Sequence, residues 1–199
     1  MKIIGITGGV GAGKSTVLKA LDKMCKCSIV MSDDVAKSLM KYNGMLSDDA
    51  IRIFGKDFYN ADGSINTAYI SRKMYDSPSL KSEWEGIVHP AANAKIRELI
   101  SHAKQENMDF IFIESALLIE NGYDRICDEI WYVFADSKIR RQRLKADRNY
   151  SDKKIDSIFH SQLSDETFRN NSDFVINTGC DMDDTLRQLE NKLEQYKTL

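Results

Sequence analysis

Long apolar runs are missing from this 199-residue chain, and nothing in it approaches the ~20 apolar residues of a membrane-spanning helix. An excess of charge of one sign is missing too. The 28 basic and 30 acidic residues leave a formal net charge of −2, so no broad electrostatic attraction draws the chain to nucleic acid or to an anionic membrane. Proline is scarce: Pro78 and Pro90 are the only two, and no repeat or low-complexity linker divides the sequence. The four cysteines are Cys25, Cys27, Cys127 and Cys180. Cys25-x-Cys27 lacks the spacing of a zinc half-site and has no histidine near it, so the thiols read as reduced and the location as cytoplasmic. The first residues read as a core strand, which argues against a cleaved leader. With 42% apolar and 29% charged residues, the composition suits a soluble α/β domain carrying an insertion.

What is present begins at Gly8-Gly9-Val10-Gly11-Ala12-Gly13-Lys14-Ser15. This fits the phosphate-binding P-loop, Gly-x4-Gly-Lys-[Ser/Thr], followed here by Thr16. Its context fits as well, with the apolar Lys2–Thr7 before it as a strand and Ser15–Met24 after it as a helix. A glycine-rich loop at a helix N-terminus turns backbone N–H groups toward one point, where the helix dipole already favours an anion. Lys14 supplies a mobile cation for the outer phosphates, and the Ser15 hydroxyl a ligand for Mg2+. A nucleoside triphosphate therefore binds at residues 8–16.

Ser28–Met31 reads as a second strand ending at Ser32-Asp33-Asp34. Ligands of open α/β sheets bind beyond the carboxyl ends of the strands, which makes Asp33 a candidate catalytic carboxylate. The competing role is N-cap, by Ser32 or Asp33, of a helix over Val35–Lys41. Residues 42–108 read as helical, with Ser79–Val88 and Pro90–Gln105 as two helices and His89 as a turn residue between them. Asp109–Glu114 is a buried parallel strand, with Glu114 and Ser115 at its carboxyl end. Glu129–Phe134 and Asp173–Ile176 are the fourth and fifth strands. Helices are expected at Ser137–Asp147, Ser151–His160 and Asp183–Tyr196, while Trp84 and Trp131 read as core. Alternating strands and helices imply a three-layer α/β core around a mostly parallel five-stranded sheet.

Arg140, Arg141, Arg143, Lys145 and Arg148 crowd the helix after the fourth strand. Their spacing cannot place all of them on one narrow face, so some, Lys145 among them, are solvent charges. The others suit a lid, over about 138–170, whose guanidinium groups close on phosphoryl oxygens. The chain is thus expected to be one domain over 1–199, with a helical acceptor-binding subdomain at about 42–108.

Taken together, these elements resemble the dephospho-CoA kinase family, over nearly the full length. The P-loop is shared by many families. The resemblance also runs through Ser32-Asp33, Asp62-Gly63-Ser64-Ile65, Arg143-Leu144 and Gln162, and more specific are His89-Pro90, Leu117-Leu118-Ile119-Glu120 and Asp173-Phe174-Val175-Ile176-Asn177-Thr178-Gly179 in that order. The chain departs from the family pattern in three places. Met31 stands where the first Asp of an Asp-x-Asp pair is usual, Ala116 replaces a proline, and Asp147-Arg148 replaces Arg-Asp.

The resemblance implies ATP-dependent phosphorylation of the ribose 3′-hydroxyl of dephospho-CoA, the last step of coenzyme A synthesis. It implies Asp33 as the base, and Lys14 and Arg143, with Arg140 or Arg148, as the charges that stabilise transfer. Two alternatives remain. One is another small-acceptor kinase on the same core, for nucleoside monophosphates or sugars. The other is a nucleotide-driven switch, against which stands the lack of an Asn-Lys-x-Asp guanine motif.

Overall fold

Strand β1 (Lys2–Thr7) is the middle of a five-stranded sheet in the computed structural model, which describes residues 1–197. The other strands are β2 (Cys27–Met31), β3 (Phe110–Glu114), β4 (Glu129–Phe134) and β5 (Phe174–Asn177), in the spatial order β2-β3-β1-β4-β5. β1 runs parallel to β3 with Ile4 opposite Phe112, and parallel to β4 with Ile6 opposite Trp131. β5 continues the parallel set, Phe174 lying opposite Trp131. The carboxyl ends of these four strands therefore share one edge, where Thr7, Glu114, Phe134 and Asn177 stand.

The helices in chain order are α1 (Lys14–Met24), α2 (Ser32–Leu39), α3 (Ser47–Phe54), α4 (Thr67–Asp76), α5 (Pro78–Gln105), α6 (Ser137–Arg148), α7 (Asp152–Ser161), α8 (Asp165–Asn170) and α9 (Met182–Lys197). None among the described residues is long and apolar enough to cross a membrane. The chain forms two compact units, one of Met1–Ile29 with the chain from Ala103 onward, the other of Val30–His102.

In the first unit every residue of β3 is buried, as its unbroken apolar run requires of a strand covered on both faces. Val17, Leu18 and Leu21 of α1 and Leu189 and Leu193 of α9 are buried at helical spacing. Each such side chain contributes roughly 1.5–3 kcal/mol by leaving water. Phe112, Trp131 and Phe174 carry an aromatic row across three strands, with ring centroids 5.7 and 5.4 Å apart.

The second unit has an aromatic core of its own. Trp84 of α5 meets Phe54 and Phe58 edge-on at 5.3 and 5.6 Å, a geometry that satisfies the ring quadrupoles. Both tryptophans are thus core residues, as their scattering in the sequence suggests.

Three expectations change. Residues 78–105 form one helix, not two, with Pro90 in its interior and His89 exposed within it. The missing Pro90 N–H breaks one rung of the ladder without ending the helix, because the turns on either side continue to pair. Next, α2 starts at Ser32 and its N-cap is Met31, with no side-chain capping bond. Ser32 and Asp33 lie inside the first turn, so neither is the cap. Finally, α8 was not legible. It is only six residues long, is capped by Ser164, whose side chain accepts from Thr167 N–H, and buries Phe168.

Candidate active site

Residues 8–13 connect β1 to α1, and their shape follows from the glycines. Gly8 has φ 142°, and a Cβ there would lie 2.3 Å from the carbonyl oxygen of Val133. Gly13 is the left-handed N-cap of α1, at φ 96°. Both conformations are closed to ordinary side chains. The bend leaves the backbone N–H groups of Gly11, Gly13 and Ser15 without an acceptor among the described residues. Three such donors at a helix N-terminus form an anion cradle.

Lys14 lies folded along this cradle. Its Nζ donates to Gly8 O at 2.8 Å and stands 3.4 Å from Glu114 Oε1, with both side chains mostly buried. Glu114, at the end of β3, pairs with the loop lysine; the sequence placed it at that edge without giving it a role. Ser15 and Thr16 follow on the exposed face of α1. The oxygen donors here, a hydroxyl and a carboxylate, suit Mg2+. Among the described residues no group of three or more His, Cys, Asp or Glu side chains could hold a metal.

Two arginines of α6 grip the loop from outside. Arg140 is buried, donating from Nε to Val10 O at 3.0 Å and from Nη2 to Gln162 Oε1 at 2.8 Å. Gln162 in turn accepts from Val10 N–H at 3.2 Å. The guanidinium stacks over Phe159 with 4.4 Å to the ring centroid. Burial pushes its pKa down, with Asp165 and Tyr132 acting the other way. Arg143 donates from Nη2 to Thr178 O at 2.7 Å and from Nη1 to Thr178 Oγ1 at 3.2 Å, and Nη1 also lies 3.4 Å from Gly11 O. Thr178 Oγ1 donates to Ala12 O at 2.5 Å. The loop is thus clamped on its amino half by Arg140 and Gln162, and on its carboxyl half by Arg143 and Thr178.

The remaining basic residues are elsewhere. Arg148 is exposed at the end of α6, where its interaction with Tyr150 lowers the tyrosine pKa. Arg141 and Lys145 pair with Asp152 at 2.8 Å each, and Arg141 also pairs with Asp156. These are solvent-facing ion pairs between α6 and α7, worth little individually.

Asp33, in the other unit, is exposed on the first turn of α2, directly after β2. Its carboxylate has no hydrogen-bond or ion-pair partner among the described residues. The structure thus brings residues 8–16, Arg140 and Arg143 together, leaves Arg148 at the surface, and adds Glu114, Thr178 and the clamping role of Gln162.

A family model described as dephospho-CoA kinase matches residues 2–184. The chain belongs to the dephospho-CoA kinase family. It is therefore a kinase, a phosphotransferase acting on a small molecule. Among curated relatives, a dephospho-CoA kinase of Streptococcus pyogenes serotype M3 is 31% identical over 192 residues, 96% of each chain. One from Corynebacterium diphtheriae is 29% identical over 195 residues, covering 98% of this chain and 96% of that one.

Solved structures agree on the fold. TT1252 from Thermus thermophilus superposes with a TM-score of 0.83 at 24% identity, covering 98% of this chain and 97% of that one. The dephospho-CoA kinase from Campylobacter jejuni gives 0.72 at 19%, covering 98% and 96%. A shikimate kinase from Acinetobacter baumannii gives 0.52 at 17%, covering 100% and 93%, a likeness of fold.

Proposed function

We propose that this kinase transfers the γ-phosphoryl group of ATP to the ribose 3′-hydroxyl of dephospho-CoA, giving coenzyme A and ADP in the cytoplasm. The observation that carries the reading is the cradle at Gly11, Gly13 and Ser15, in a chain that the dephospho-CoA kinase family model covers from residue 2 to 184.

The residues divide the work as phosphoryl transfer requires, since positioning and charge stabilisation dominate it. The loop amides take the β-phosphate oxygens. Lys14 leaves Gly8 O for the β/γ oxygens, while Glu114 holds its ammonium at the loop. Mg2+, held by the Ser15 hydroxyl and the phosphates, would neutralise charge between donor oxygens. Asp33 accepts the proton of the acceptor hydroxyl, a role open to a carboxylate that is exposed and unengaged. Arg143 adds positive charge at the mouth of the loop. Arg140 is a strut whose hydrogen bonds are spent on Val10 and Gln162, and Arg148, exposed beside Tyr150, is the residue of the lid that would move toward the phosphates. The acceptor is assigned to the helical residues 42–108.

The test is ATP turnover with dephospho-CoA against a panel of nucleoside monophosphates and sugars. Turnover with dephospho-CoA alone is expected. Turnover confined to another acceptor would replace this substrate while leaving the kinase intact.

A further inference from the structure

Cys25 and Cys27 are the feature of the first unit that phosphoryl transfer does not use. α1 ends at Met24, Cys25 is its extended C-cap, and Cys27 opens β2 after a bend. Residues two apart in extended chain point to the same side, ~6.6 Å apart in a straight strand. Both thiols converge on one carbonyl: Cys25 Sγ lies 3.3 Å and Cys27 Sγ 3.8 Å from Leu21 O. The two sulfurs therefore lie around a single acceptor. Each is partly exposed. Cys25 also lines a cleft of about 760 Å3 with Met24, Lys26, Asp109, Phe110 and Leu193. The 11 residues of α1 put roughly 16 Å of helix between this pair and the phosphate loop, so it is a separate site.

We propose that Cys25 and Cys27 form a redox modification site, a thiol pair that closes reversibly to a disulfide when a hydroperoxide oxidises it. The thiolate of Cys27 attacks one peroxide oxygen. The O–O bond breaks, the other oxygen leaves as water or an alcohol after taking a proton, and Cys27 becomes a sulfenic acid. Cys25 then attacks the Cys27 sulfur, the S–O bond breaks, and the departing oxygen takes the Cys25 proton to leave as water. The peroxide is reduced by two electrons, which the two thiols supply.

The order follows from the surroundings. The neighbouring Cys25 lowers the Cys27 pKa against the effect of burial, whereas Cys27, burial, and the charges of Asp109 and Asp22 raise Cys25. A thiol shifted down beside one shifted up is the ordering of an attacking and a resolving cysteine. A ring closed over the single residue Lys26 is strained, which makes the bond easily reduced.

The other two cysteines serve as internal controls. Cys127 is partly buried, and burial pushes its thiol up to about 12. Cys180 is exposed but is not paired with another cysteine. The full-length reduced chain is treated with hydrogen peroxide, blocked with N-ethylmaleimide and mapped by mass spectrometry. The segment holding Cys25 and Cys27 is expected to be lighter by two hydrogens and to carry no maleimide, then to take two maleimides after dithiothreitol. In Cys25→Ser, Cys27 is expected to remain a sulfenic acid that dimedone captures. Two maleimides on the untreated-like segment, at a peroxide dose that oxidises Cys180, would overturn the proposal. So would added oxygen on either sulfur with no loss of hydrogen.

Discussion

Asp33 is an exposed carboxylate that caps nothing, so Asp33→Asn separates chemistry from stability. kcat is expected to fall ~10²–10⁴-fold, the range for a positioned acid or base. ATP affinity and thermal midpoint should stay nearly unchanged, apart from the few tenths of a kcal/mol a first-turn acid gives a helix. Steady-state kinetics beside a melting curve checks both, and unchanged turnover would remove Asp33 from the base role.

Glu129 carries a different kind of prediction. It accepts from Tyr196 Oη at 2.5 Å and Trp131 Nε1 at 3.2 Å, with Lys192 Nζ at 3.0 Å, tying the start of β4 to the end of α9. Burial acts to raise its pKa, but these partners outweigh it and the net shift is downward. A carboxylate lowered on folding stabilises the native state above its unfolded pKa of about 4.3 and loses that contribution as pH falls through the folded value. Glu129→Gln should therefore lower the melting temperature at neutral pH, and the gap to wild type should close below pH ~4. A gap that persists at low pH would mean that shape, not charge, holds the contact.

Among the elements, α5 is the one whose continuity is least expected. A helix-interior proline can cost ~3 kcal/mol, partly offset because proline also restricts the unfolded chain. Pro90→Ala should restore the rung to Gly86 and stabilise the protein by about 1–2 kcal/mol, a rise of roughly 2–8 °C at this chain length. A fall instead would show that the second unit packs against the Pro90 ring. Helix α6 shows the opposite relation of sequence to structure. Its basic residues were visible as a cluster, but their three destinations were not. The burial of Arg140, the grip of Arg143 on Thr178 and the exposure of Arg148 depend on which chain segments pass each side of the helix.

For the whole molecule, each compact unit holds one of the two tryptophans, Trp131 in the first and Trp84 in the second. Trp84→Phe leaves fluorescence that reports the first unit, and Trp131→Phe leaves the second. A ligand at 100 times its Kd adds about 2.7 kcal/mol to the state that binds it. ATP should raise the midpoint seen by Trp131, and dephospho-CoA that seen by Trp84. Protection of the Trp131 signal alone by dephospho-CoA would move the acceptor out of residues 42–108.

The P-loop was legible because its constraint is local: strand, glycines, lysine and helix lie within 24 residues. The five strands were legible through apolar runs that a buried parallel sheet demands. Order within the sheet was not, since β1 lies between β3 and β4, more than a hundred residues away in sequence. The same holds for the clamps on the loop. Val10 meets Gln162, and Ala12 meets Thr178, across separations of 152 and 166 residues. By itself the sequence determined that a phosphate-binding loop stands between a strand and a helix, and that Asp33 follows the second strand. Only the tertiary structure decided that Lys14 rests against Glu114 and that Arg140 and Arg143 hold the loop, because hydrogen bonds between distant segments leave no periodic trace in the chain.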